Sequence, residues 1–205
     1  MKKITKGTFI LGLLLIISGY MVIGLDRVNR FIKDKMSEDK VSFYLSSKEI
    51  TGEPVRVEEE QEEVQKAPHP DVIGVLEIPS IGFRREFYKI NSPHNNVEEN
   101  IQVMASSTMP NIIGGNLIFA AHSGTGWKAF FNGLINLRNN DKIYVYYDGY
   151  KYTYKVTKIY NEEKTGSIHV SKESGKTMIT LTTCNRITKG QQLIVMGEQV
   201  DIEAY

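Results

Sequence analysis

The sequence predicts an all-β domain with only short helices, a barrel or a sandwich, carried behind an N-terminal transmembrane helix and a polar stalk. Three observations carry that prediction. Residues 7–25 hold no charge, residues 58–63 are five glutamates around one glutamine, and from Val72 onward short β-branched and aromatic runs alternate with glycine and asparagine breaks. Many short strands with few helical patterns argue a barrel or a sandwich.

The chain has 205 residues, 24% of them charged, with a formal net charge of +1. That is one domain's worth of sequence with an appendage. A charge so near neutral leaves no electrostatic footprint for nucleic acid. The patterns GxxxxGK[ST], GxGxxG, HExxH and paired CxxC are missing, so nucleotide and zinc readings find no support and no cofactor or metal is expected.

At the N-terminus Lys2, Lys3 and Lys6 precede the uncharged run Gly7–Leu25, which Asp26 and Arg27 close. Nineteen helical residues span roughly 28 Å, close to the hydrocarbon thickness of a bilayer. A cleaved signal peptide has an apolar region of about 7–15 residues ending in small residues; here Met21, Val22 and Ile23 stand where small residues would. The run is read as an uncleaved anchor. The lysines predict a cytoplasmic N-terminus and an extracellular remainder, a single-pass protein of the cell membrane. Residues 26–45 are mixed and extend the anchor helix, and 46–70 read as a solvated acidic stalk. The expected division is anchor 1–25, juxtamembrane helix and stalk 26–70, and folded domain 71–205.

Within that domain VIGVLEIPSIGF (72–83) is an apolar strand signal whose first run Pro79 ends, and NLIFAAH (116–122) is a short strand after Gly114-Gly115. WKAFFNGLINL (127–137) places Trp127, Phe130 or Phe131, and Leu134 at helical spacing, as core residues. KIYVYYDGYKYTYKV (142–156) reads as two alternating strands around a tight Asp148-Gly149 turn. MITLTT (178–183) and QLIVMG (192–197) are two further strands.

Cys184 is the only cysteine. Outside the cell a structural cysteine normally has a disulfide partner, and this one ends a strand just before the polar Asn185-Arg186. A strand end is where a nucleophile would be presented, provided a base or cation favours the thiolate. Of four histidines, His69 lies in the stalk, His94 in the polar NSPHNN loop, and His169 in a short SIHVS segment. His122 ends a strand and precedes Ser123-Gly124-Thr125-Gly126, so it is the candidate base.

The segments NLIFAAHSG and TLTTC, in this order and about sixty residues apart, resemble the sortases, membrane-anchored cysteine transpeptidases of Gram-positive bacteria. The resemblance runs from about Val72 to Val200, takes in IGVLEIPSIG, FFNGLINLRNNDKIYVYY and LIVMG, and is nearest to classes C and D. It implies an eight-stranded barrel with Cys184 as nucleophile and His122 as acid/base. Thr183 and Thr182, within the motif, would shape the substrate groove or support the Cys184 loop. The implied substrates are secreted proteins with a C-terminal LPxTG-like sorting signal. The implied acceptor is an amine of a peptidoglycan precursor or a pilin.

One position departs from the family. Sortases carry an arginine just before the apolar LIV-like triplet, where it stabilises the oxyanion; here that position reads Gln192. Gln192 could donate its amide instead, or Arg186 could reach back from the loop. Two other readings stay open: a thiol peptidase that only hydrolyses, and a non-catalytic membrane-tethered assembly factor on the same barrel. The His-then-Cys order is the reverse of papain-like enzymes, and the QAC motif of caspases is missing.

Overall fold

A computed structural model describes residues 6–49, 71–166 and 175–205. His69, His169 and the acidic stretch 58–63 lie outside the described residues.

Helix α1 runs unbroken from Lys6 to Glu49, about 66 Å at the usual rise. It takes in the uncharged run and continues past Asp26 through the first residues read as stalk. Eight strands follow: β1 (Val72–Ile78), β2 (Phe83–Tyr88), β3 (Gln102–Val103), β4 (Asn116–Ala120), β5 (Lys142–Tyr147), β6 (Tyr150–Glu163), β7 (Met178–Cys184) and β8 (Gln191–Ala204). They form one sheet in the order β2-β1-β5-β6-β8-β7-β4-β3. The sheet curls into a nearly closed barrel. Asn100, just before β3, donates its side-chain amide to the Glu86 carbonyl of β2 at 3.0 Å, across the closing edge.

Alternation within each strand sorts the side chains. Leu76, Ile78, Leu117, Phe119, Ile143, Val145, Ile179, Leu181, Leu193 and Val195 fill the interior. Met178, Ile194 and Met196 face outward and form a second buried cluster with Tyr160. The β5–β6 hairpin turns on Asp148 and Gly149, both at positive φ, the geometry an Asp-Gly pair favours.

The helical spacing of 127–137 is realised only as a 3-10 helix over Asn132–Asn136. Phe131 and Leu134 are buried as expected, but Gly126, just before the segment, has a φ of +96° that no helix accepts, and only the short turn containing Gly133 is helical. Strands β2 and β3 carried no clear signal: FRREFY mixes charge with aromatics, and a two-residue strand has no periodicity.

The C-terminal part of α1 packs against the barrel. Val41 and Tyr44 of α1 are buried against Val75 of β1, and Ser37 and Lys40 bond the carboxylate of Glu86 in β2.

Candidate active site

All neighbouring strands pair antiparallel except β4 and β7. A parallel pair brings two carboxyl ends to the same side. The register sets Ala120 beside Thr182, and the Ala121 amide donates to the Thr182 carbonyl at 3.3 Å. Two residues on, His122 and Cys184 leave the strands at the same level, on strands about 4.8 Å apart. Ile179 and Leu181 belong to the interior, so alternation along β7 turns Cys184 to the outer face.

Gln192 of β8 stands directly opposite Cys184. Opposed residues of an antiparallel pair project to the same side. Cys184 and Gln192 therefore share one face of β7 and β8, and His122 follows the neighbouring end of β4. Gln191, one residue earlier, takes the other face. Arg186 lies in the β7–β8 loop, exposed, and joins Ser123 and Cys184 in lining a small recess. Thr183 points inward and donates its hydroxyl to the Ala121 carbonyl at 2.8 Å, which ties β7 to β4. Thr182 is buried on the outer face.

The loop after His122 is pinned from both sides. Phe131 donates its amide to the His122 carbonyl at 3.0 Å. Asn132 brackets Gly124, accepting its N–H at 2.7 Å and donating to its carbonyl at 2.9 Å. The Ser123 hydroxyl donates to the Cys184 carbonyl, linking the two strand ends.

Two residues that sequence reasoning passed over complete the site. Lys164, just after β6, places its ammonium 3.4 Å from the Cys184 sulfur. A cation beside a thiol favours the thiolate. Glu98, from the loop before β3, holds His122 Nε2 at 2.9 Å through one oxygen and the Lys128 ammonium at 2.6 Å through the other. The hydrogen bond from Lys128, then that to His122, draws the Glu98 carboxyl down to about 2. Both cues were weak in the sequence, since Glu98 sits in a polar run and Lys164 in a charged strand end. His94 instead pairs with Glu99 at 3.1 Å, beside Tyr88.

Among the described residues no group of three metal-ligating side chains is present. A cleft of about 950 Å³ lies between α1 and the barrel beside Arg30, Arg85 and Trp127, and its lining holds neither thiol nor imidazole.

A family model, the Sortase domain, matches residues 76–200. Sortase A of Bacillus anthracis is 28% identical over 134 residues, 65% of this chain, and the chain spans 62% of that relative's length. Among solved structures, the barrel is similar to Clostridium perfringens sortase C with the C-terminal cell wall sorting motif. There the TM-score is 0.61 and the identity 19%, covering 80% of this chain and 100% of that one. The Group B Streptococcus Pilus Island 1 sortase C2 gives a TM-score of 0.58 at 22% identity, covering 80% and 97%.

Proposed function

This chain belongs to the sortase family, and on that premise we propose that it is a membrane-anchored cysteine transpeptidase acting through Cys184 on an LPxTG-like sorting signal. The observation that supports the proposal is the strand register: the parallel β4–β7 pair sets Ala120, two residues before His122, beside Thr182, two residues before Cys184, and β8 sets Gln192 opposite Cys184.

The thiolate of Cys184, favoured by the Lys164 cation at 3.4 Å, attacks the carbonyl carbon of the Thr–Gly-type amide. The carbonyl oxygen takes the electron pair, and the Gln192 side-chain amide, opposite Cys184 on the same face, donates a hydrogen bond to it. The C–N bond breaks as His122 delivers a proton to the leaving amine. A thioacyl-enzyme remains, and the amine of a cell-wall precursor or a pilin attacks it, gives up its proton to His122 and releases the Cys184 sulfur. Gln192 is preferred over Arg186 as the donor because it stands in register with the sulfur's own residue, whereas the Arg186 side chain is exposed. Glu98 orients the imidazole through Nε2.

Helix α1 holds a long apolar stretch of mean hydropathy 1.8, none of it buried, which supports membrane anchoring. The reading places the N-terminus in the cytoplasm and the barrel outside.

Mass spectrometry of the full chain in detergent, incubated with LPxTG-like peptides with and without amines, tests the activity. The expected result is a thioacyl adduct on Cys184 that an added amine converts to transferred product. Adduct that decays only to free acid whatever amine is supplied would make the protein a hydrolase. A Cys184→Ala variant with full activity would remove the assignment altogether.

A further inference from the structure

Helix α1 determines which end of the barrel faces the bilayer. Its uncharged run ends at Leu25, and the next residue, Asp26, accepts the Trp127 amide N–H at 3.2 Å. One turn on, Arg30 donates to the Gly126 carbonyl at 2.7 Å. About 27 Å along the helix axis from Asp26, the Tyr44 hydroxyl donates to the Ile73 carbonyl at 2.7 Å and accepts the Asp148 amide at 3.3 Å, beside the β5–β6 turn. The helix therefore descends the side of the barrel with its membrane end at the loop that follows His122.

Nineteen uncharged residues fill the hydrocarbon layer, so Asp26 and the Trp127 amide stand at the level of the lipid headgroups. The Trp127 ring has the ammonium groups of Lys33 and Lys128 each 5.3 Å from its centroid. An amphipathic ring among cations suits a membrane–water interface.

Because β4 and β7 are parallel, the β7–β8 loop leaves the same end. That loop reads Asn-Arg-Ile-Thr-Lys-Gly over 185–190, with two cations and no anion. At its tip Ile187 is 81% exposed. The loop is a built turn: Asn185 Oδ1 accepts the amides of Ile187 at 2.8 Å and Thr188 at 3.1 Å. Among the described residues, the acids at this end include Asp26, which accepts the Trp127 amide, Glu98 and Glu99, paired with Lys128 and His94, and Glu162 and Glu163 at the close of β6.

We propose that this end of the barrel rests on an anionic lipid surface, with Ile187 entering the headgroup–acyl boundary and Arg186 and Lys189 against lipid phosphates. The proposal rests on the reading of α1 as a membrane anchor. It would hold Cys184 close to the bilayer, where substrates still tethered by an apolar tail and lipid-linked amines are found. Electrostatic attraction of this kind is short-ranged and needs anionic lipid.

The test uses the full chain in phosphatidylcholine–phosphatidylglycerol vesicles carrying brominated acyl chains. Trp127 is the only tryptophan, so in a Trp127→Phe background a single probe is introduced as Ile187→Trp, or as Ile113→Trp at the opposite end of β4, where Ile113 is 90% exposed. The expected result is that the chain floats with the vesicles, that Ile187→Trp loses most of its emission, and that Ile113→Trp loses none. Flotation with quenching at 113 rather than 187, or at neither, overturns the proposal and leaves the anchor intact. An unquenched 187 probe that responds to a sorting-motif peptide assigns the tip to substrate and overturns it too. Failure to float overturns the anchor reading, and the proposal with it.

Discussion

Replacing Lys40 with methionine should loosen α1 from the barrel. Glu86 of β2 is buried, and its carboxylate meets the Lys40 ammonium at 3.5 Å, the Tyr88 hydroxyl at 3.0 Å and the Ser37 hydroxyl. Burial, then the charge of that carboxylate, pushes the Tyr88 phenol well above its ordinary value. Methionine keeps the aliphatic stem of Lys40 but removes the cation, so Glu86 keeps two neutral donors and the charge of Arg85 nearby but loses its direct ion pair. Breaking a fully buried ion pair costs about 3–5 kcal/mol. The Lys40 side chain is 17% exposed and two donors remain, which lowers the expected loss to about 2–3 kcal/mol. For a chain of this size that is a fall in Tm of about 4–12 °C. The assay is thermal unfolding of the full chain in detergent at neutral pH, followed by circular dichroism in the β-sheet region. Adding Glu86→Gln to Lys40→Met removes the stranded charge, and the double variant should regain most of the loss. A Lys40→Met variant within about 2 °C of wild type, or a double variant no better than the single, would refute the reasoning.

Three further outcomes are expected. Gln192→Leu should lower kcat about 10²–10³-fold, as loss of an oxyanion donor does, while Gln191→Leu, on the opposite face, changes it little; if Arg186→Ala collapses the rate and Gln192→Leu does not, the donor is Arg186. The Glu98 carboxyl, drawn down to about 2 by Lys128 and then His122, contributes stability that is present above its unfolded value and lost as pH falls through its folded one. Its ¹³C titration should therefore lie near 2 in wild type and move back up in Lys128→Ala. Gly74→Ala would put a methyl 2.3 Å from the Phe87 ring and 2.5 Å from the Tyr146 carbonyl. Such crowding of backbone and core should destabilise by about 1–3 kcal/mol, read from urea unfolding.

The sequence alone determined a great deal here. Strands β1, β4, β5, β6, β7 and β8 were legible because each carries a β-branched or aromatic run closed by glycine, proline or a polar break, a signal local to its own residues. The α1 run was legible for the same reason, since nineteen uncharged residues need no tertiary context. The candidate thiol and imidazole were legible as residue types at strand ends. What the tertiary structure decided is everything that depends on register and topology. The sequence places His122 and Cys184 sixty-two positions apart, and only the parallel β4–β7 pairing sets them at one level; Gln192 joins them through the antiparallel β7–β8 register. Glu98 and Lys164 reach the site from loops whose sequences look like any solvated charge. The helical pattern of 127–137 shrank to a 3-10 turn at Asn132–Asn136 behind Gly126 at positive φ, where backbone conformation overrode apolar spacing. Helix α1 packs on the barrel because Ser37, Lys40, Val41 and Tyr44 meet partners on β1, on β2 and at the β5–β6 turn. Periodicity along one chain reports which face a residue takes, and it is silent about which distant strand or loop that face will meet.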